Sequence, residues 1–213
     1  MKKVLIADDH FTVRIGIEML IKDIPGDSYS YEHAVSGDDL ISKLEASEYH
    51  ILITDMQMPG PSGLFLLEKV IAIRPALQVL VLSVNPEDVF ALKCLQLGAR
   101  GFISKTASDE ELTQAIKEVM AGNKYMSDKM LKNLLTDSSQ QNPFTTLSPR
   151  ELDVATLLLK GHGVLEVANM LGINTSTAST FKGKIFKKLG ISSLVEMEQL
   201  SKSFQISHND PAE

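Results

Sequence analysis

The chain has 213 residues, a net charge of −6, a single cysteine and no tryptophan. That length suits one large domain or two small ones, and a lone cysteine rules out an internal disulfide framework. No apolar run approaches the ~18 residues of a membrane span, and the run after Met1-Lys2-Lys3 is too short for a signal peptide, so a soluble, cytoplasmic protein is expected. The charge is uneven. Residues 1–122 hold 11 Lys/Arg against 18 Asp/Glu, a net −7, whereas residues 143–190 hold six against three, a net +3. The acid belongs to the first half and a modest positive field to part of the second, a clue to function.

Strand and helix patterns alternate five times over residues 1–122. The apolar run 4–7 precedes a helix with Val13, Ile17, Leu20, Ile21 and Ile24 on one face, stopped by Pro25-Gly26. Residues 29–35 form a weaker strand, and Ser36-Gly37-Asp38-Asp39 opens a helix with capping-box spacing. Residues 51–54 and 79–82 are almost wholly apolar, as strands covered on both faces should be. A helix over 63–73 lies between them, and Asn85-Pro86-Glu87-Asp88 offers an N-cap with proline at N1. Cys94 falls in that helix as a small buried hydrophobe. Residues 101–103 make a short fifth strand, and Ser108-Asp109-Glu110-Glu111 starts the last helix. Five βα units with short links predict a doubly wound parallel sheet.

Polar residues stand at four strand exits: Asp8-Asp9, Asp55, Ser83 and Lys105. Such exits are where open parallel sheets keep their ligands. Three converging acids need a cation, and an oxygen-only set favours Mg²⁺ over zinc, so Asp55 reads as the nucleophile of a metal-assisted phosphoryl transfer. The constellation Asp8-Asp9, Asp55, Pro59, Gly63, Ser83, Phe102 and Lys105 resembles the receiver domain of two-component response regulators, a flavodoxin-like fold. The resemblance implies that Asp55 accepts a phosphoryl group from a sensor histidine kinase or a small phosphodonor. It implies Mg²⁺ on Asp8, Asp9, Asp55 and the Gln57 backbone carbonyl, with Asp8 acting partly through water. Lys105 and Ser83 would then hold the phosphoryl oxygens. Ser83 and Phe102 would carry the switch, Ser83 moving toward the phosphoryl group and Phe102 turning inward. Catalysis would be limited to self-phosphorylation from phosphodonors and autodephosphorylation.

Residues 123–146 read as a linker. A short amphipathic helix is expected over 126–135 and a polar tether over 136–143, long enough to let two domains reorient. Leu147-Ser148-Pro149-Arg150-Glu151 restarts the fold with Ser at N-cap, Pro at N1 and Glu at N3. Four short helices follow, with a tight Gly172 turn between the second and third. They predict a small all-α helix-turn-helix domain over 147–205, then a disordered tail over 206–213. Leu147, Arg150-Glu151, Gly161, Glu166, Ala168, Leu171, Ile173, Thr177, Ile185 and Lys188-Leu189 resemble the LuxR-type module of NarL/FixJ response regulators. The resemblance implies double-stranded DNA as a partner, a palindromic promoter site and a homodimer on activation.

The third helix of that module departs from the family, with Ser179 and Phe181 where a Lys and a His are usual. Ala178 replaces a branched apolar residue, and the exposed run, Thr175, Ser176, Ser179, Thr180 and Gly183, leaves base contacts to hydroxyls and a methyl-sized surface. Lys182, Lys184 and Lys187 are assigned to phosphates and Lys188 to packing its stem. Gly183 costs about 1 kcal/mol in a helix, which suggests a close approach to DNA or another helix. The favoured reading is a DNA-binding regulator switched at Asp55. The alternative keeps the switch but makes the C-terminal helices an interaction module that binds DNA weakly or not at all. A free-standing phosphatase is disfavoured, because Gln57 stands where such enzymes keep a general acid.

Overall fold

In the computed structural model, which describes residues 2–24, 29–135, 142–204 and 206, five parallel strands form one sheet. They are β1 (Lys2–Ala7), β2 (Tyr29–Ala34), β3 (Ile51–Asp55), β4 (Gln78–Ser83) and β5 (Gly101–Ser104), in the order β2-β1-β3-β4-β5. The crossovers are α1 (Phe11–Lys22), α2 (Gly37–Ala46), α3 (Gly63–Ile73) and α4 (Glu87–Leu97), with α5 (Asp109–Met120) closing the unit. The two-residue period of the strands sorts their side chains onto two faces. Val4, Ile6, Ile53 and Leu80 pack beneath α1 and α5. Leu5, Leu52, Val79 and Phe102 pack beneath α2, α3 and α4. Cys94 lies in the second layer, and burial pushes its thiol far above its ordinary value, leaving it inert.

Winding order reverses between β1 and β3, and open sheets place ligands outside the strand ends at such a point. The register aligns Ala7 with Thr54, Asp55 with Leu82 and Ser83 with Ser104, so the polar exits share one edge. Helix starts follow local chemistry in part. Ser108 and Glu111 form a reciprocal capping box on α5. Ser36 caps α2, but the Asp39 carboxylate accepts from Val35 N–H, so only half the expected box forms. Asn85 does not cap α4; Pro86 takes that position, and the Asn85 side chain is used elsewhere. Pro25-Gly26, most of the 136–143 stretch and nearly all of 206–213 lie outside the described residues. Ile206 is described, and it is buried rather than loose.

The second half holds α6 (Asp128–Leu135), a 3-10 turn (Pro143–Thr146), α7 (Pro149–Leu159), α8 (Val164–Leu171), α9 (Thr175–Leu189) and α10 (Leu194–Ser203). Ser148, Pro149 and Glu151 start α7 as a capping box with proline in the first turn. Gly172 turns α8 into α9 with φ 62°, a region other residues enter at a cost. The apolar layer beneath α3 and α4 continues without a break into this half through Phe144, Leu147, Leu152, Leu157, Ile185 and Met197. The two halves are docked.

Candidate functional site

At the shared edge, Lys105 is the hub. Its Nζ lies 2.8 Å from Asp55 Oδ2 and 2.7 Å from Asp8 Oδ2, and its backbone N–H donates to Ser83 O, fixing the loop after β5 against the end of β4. Asp8 is 0% exposed and Asp55 3%, so both carboxylates sit out of bulk water. Gln57 N–H donates to Asp55 Oδ1 at 2.9 Å. Burial raises the Asp55 carboxyl above its ordinary value, against the pull of Lys105 and of Gln57 N–H, with Asp8 adding to the rise. Burial acts to lower Lys105, but the Asp55 and Asp8 carboxylates more than offset it and hold the amine above its ordinary value.

Asp8 Oδ2 is buried and meets Lys105 as an ion pair without an aligned hydrogen bond. Asp9 is turned outward, where its Oδ1 lies 2.9 Å from His10 Nδ1. Asp8, Asp9 and His10 present ligand atoms within 4.8 Å of one another. The acidic pocket therefore includes a histidine that sequence reasoning passed over, although the signal, Asp-Asp-His in a row, was in plain view. Ser83 is buried and its Oγ accepts from Asn85 N–H at 3.1 Å. Phe102 already lies inside the core in this state, 1% exposed.

On α9, Thr175, Ser176, Ser179, Thr180, Gly183, Lys184 and Lys187 are all exposed, and Lys182 is half-buried with its amine 5.5 Å from the Phe186 ring. Lys188 Nζ instead pairs with Glu151 Oε2 at 2.6 Å. Ala178 is buried and packs the helix onto its own domain. A Cβ on Gly183 would meet nothing within 4 Å, so no described neighbouring helix requires glycine there.

Residues 4–117 match the response regulator receiver domain, and residues 145–201 match the bacterial regulatory proteins of the luxR family. The chain is a response regulator. It belongs with the DNA-binding transcriptional regulators of the NarL/FixJ type. It is 35% identical over 205 residues to the response regulator GacA of Pseudomonas aeruginosa, covering 94% of this chain and 95% of that one. It is 30% identical to the response regulator UvrY of Escherichia coli, covering 94% of each. Among solved structures it is similar to RcsB of Salmonella enterica serovar Typhimurium bound to a promoter in the presence of phosphomimetic BeF3−, with a TM-score of 0.79 and 26% identity over 95% of this chain and 98% of that one.

In this response regulator α7 packs against α3 across the domain boundary. Asp153 is buried, and its two oxygens accept from Leu64 N–H at 2.9 Å and Phe65 N–H at 2.8 Å, in the first turn of α3. Ser62, the local N-cap of α3, makes no capping bond. Gly63 has φ 68°, and a Cβ there would lie 2.5 Å from Asp153 Oδ1. Burial pushes the Asp153 carboxyl up to about 7, opposed by those two N–H groups and by Arg150. Arg150 pairs with Glu68 at 2.7 Å and stacks 4.4 Å from the Phe65 ring centre. Lys160 Nζ donates to Gln57 Oε1 at 2.9 Å, and Gln57 Nε2 donates to Asn85 Oδ1 at 2.8 Å. Among the described residues no helix is long and apolar enough to cross a membrane.

Proposed function

We propose that the protein is a cytoplasmic transcription regulator that accepts a phosphoryl group on Asp55 from a partner histidine kinase and reads DNA through α9 as a homodimer. The observation that carries this reading is Lys105 bridging Asp55 and Asp8 at the switch point of the sheet. An Asp55 oxygen attacks phosphorus as the N–P bond of the phosphohistidine breaks, its electron pair passing to the imidazole, which takes a proton from water. Positioning and charge neutralisation supply most of the acceleration in such transfers. Lys105 passes from the free carboxylate to a phosphoryl oxygen, and the Ser83 hydroxyl supplies a second hydrogen bond. Mg²⁺ held by Asp8, Asp9, Asp55 and the Gln57 backbone carbonyl would neutralise the equatorial oxygens, and the carboxylate-rich pocket with its underused Asp8 Oδ2 suits a hard cation. Attack of water on the same phosphorus releases phosphate and restores Asp55.

The modification adds about −1.5 to −2 charges beside Ser83, and Phe102 is the neighbour through which its movement would reach α4 and α5. On DNA, the hydroxyls of Thr175, Ser176, Ser179 and Thr180 face the bases while Lys182, Lys184 and Lys187 take phosphates. Treatment with acetyl phosphate and Mg²⁺ should add one phosphoryl group at Asp55 by mass spectrometry and none to Asp55→Asn. A duplex shift assay at low salt should show binding that weakens as salt rises. Labelling that persists in Asp55→Asn overturns the assignment, and absence of binding at low salt would leave the C-terminal helices as an interaction module.

A further inference from the structure

The loop between β3 and α3 leaves Asp55 and is held by the second domain at both of its ends. At its start, Gln57 binds Asp55 through its backbone N–H and Lys160 through its side chain. At its far end, the first turn of α3 is capped by Asp153 in place of the idle Ser62. Asp153 and Lys160 lie seven residues apart, a spacing that returns to the same face of a helix. Asp153 is buried and bonded twice, so it fixes where α7 sits, and Lys160 is thereby delivered to Gln57.

We propose that α7 clamps the loop after Asp55 from both ends, so that the docked DNA-binding domain sets the rate at which Asp55 takes up and loses a phosphoryl group. Asp153 and Lys160 are positioning residues that act through the loop. The inference rests on the reading of Asp55 as phosphoacceptor. A carboxylate only 3% exposed is reached when its surroundings give way, and Gln57, bonded to Asp55 through its backbone, is the neighbour that Lys160 restrains. The path also runs back. Gln57 Nε2 holds Asn85, and Asn85 N–H holds the Ser83 hydroxyl. When Ser83 turns to a phosphoryl oxygen, that path is pulled from the receiver side. At equilibrium, linkage then requires that whatever loosens the clamp favours the phosphorylated state, and that phosphorylation loosens the clamp by the same factor.

The test uses the full chain, acetyl phosphate with Mg²⁺, and the labelling rate of Asp55. Asp153→Ala and Lys160→Ala should each label about fivefold faster than wild type, with Lys160→Arg restoring the wild-type rate. In a Gln57→Ala background, Lys160→Ala should change nothing further, a coupling that a merely structural role would not show. If Asp153→Ala does not fold, the exposed Lys160 decides alone. Wild type labelled at Asp55, with variants labelled at an unchanged or slower rate, overturns the clamp and leaves the phosphoacceptor standing. Wild type that takes no label at Asp55 overturns both.

Discussion

Helices α5 and α3 begin in opposite ways. The start of α5 is closed by its own sequence, with Ser108 and Glu111 exchanging hydrogen bonds three residues apart. The start of α3 is closed by Asp153, which lies 88 and 89 residues along the chain from the amides it accepts. Four backbone N–H groups are left over at any helix start, and something must take them up. In α5 the solution belongs to the helix and is present in any arrangement of the domains. In α3 it belongs to the partner domain, so the order of the first turn after the Asp55 loop depends on docking.

The largest departure is expected from Gly63→Ala. A left-handed φ costs an alanine about 1–2 kcal/mol, and the new methyl would stand 2.5 Å from Asp153 Oδ1. Amide exchange at Leu64 and Phe65 should rise, with a lower melting temperature for the whole chain. The pH dependence of docking comes next. Asp153 is raised to about 7 when docked and returns to an ordinary carboxylate value near about 4 when the domains part. Docking therefore takes up a proton between those values, is strongest on the acid side, and weakens as pH rises through 7. Energy transfer between fluorophores on the two domains should fall from about pH 4 to about pH 7 and level off above that, and Asp153→Asn should flatten the change.

Ser108→Ala should cost about 1 kcal/mol of stability in denaturant melts, yet leave exchange at Leu64 and Phe65 as it was. If the interface amides also loosened, the distinction between a cap within the helix and a cap from the other domain would fail. The smallest effect belongs to Asn174→Ala. Asn174 occupies the N-cap of α9 but its side chain makes no capping bond, so melts should move by less than about 0.5 kcal/mol.

Features written in local spacing were legible from the chain alone. The five βα units, the proline start of α7, the acid-bearing strand exits and the reach of Lys105 to Asp55 all follow from short-range pattern plus the topology of a parallel sheet. The residues that sequence reasoning passed over bond across distance. Asn85 looks like a cap and serves Gln57 instead; Asp153 looks like one more helical acid and holds another domain. His10 was visible in the acidic string, but its place beside Asp9 depends on the turn into α1.

The hydroxyl row of α9 stands open to solvent while α7 grips the receiver, so under the proposed reading a single copy would need no unveiling before meeting a half-site. Control of gene choice would then fall on geometry: whether two copies are spaced to sit on neighbouring turns of the duplex.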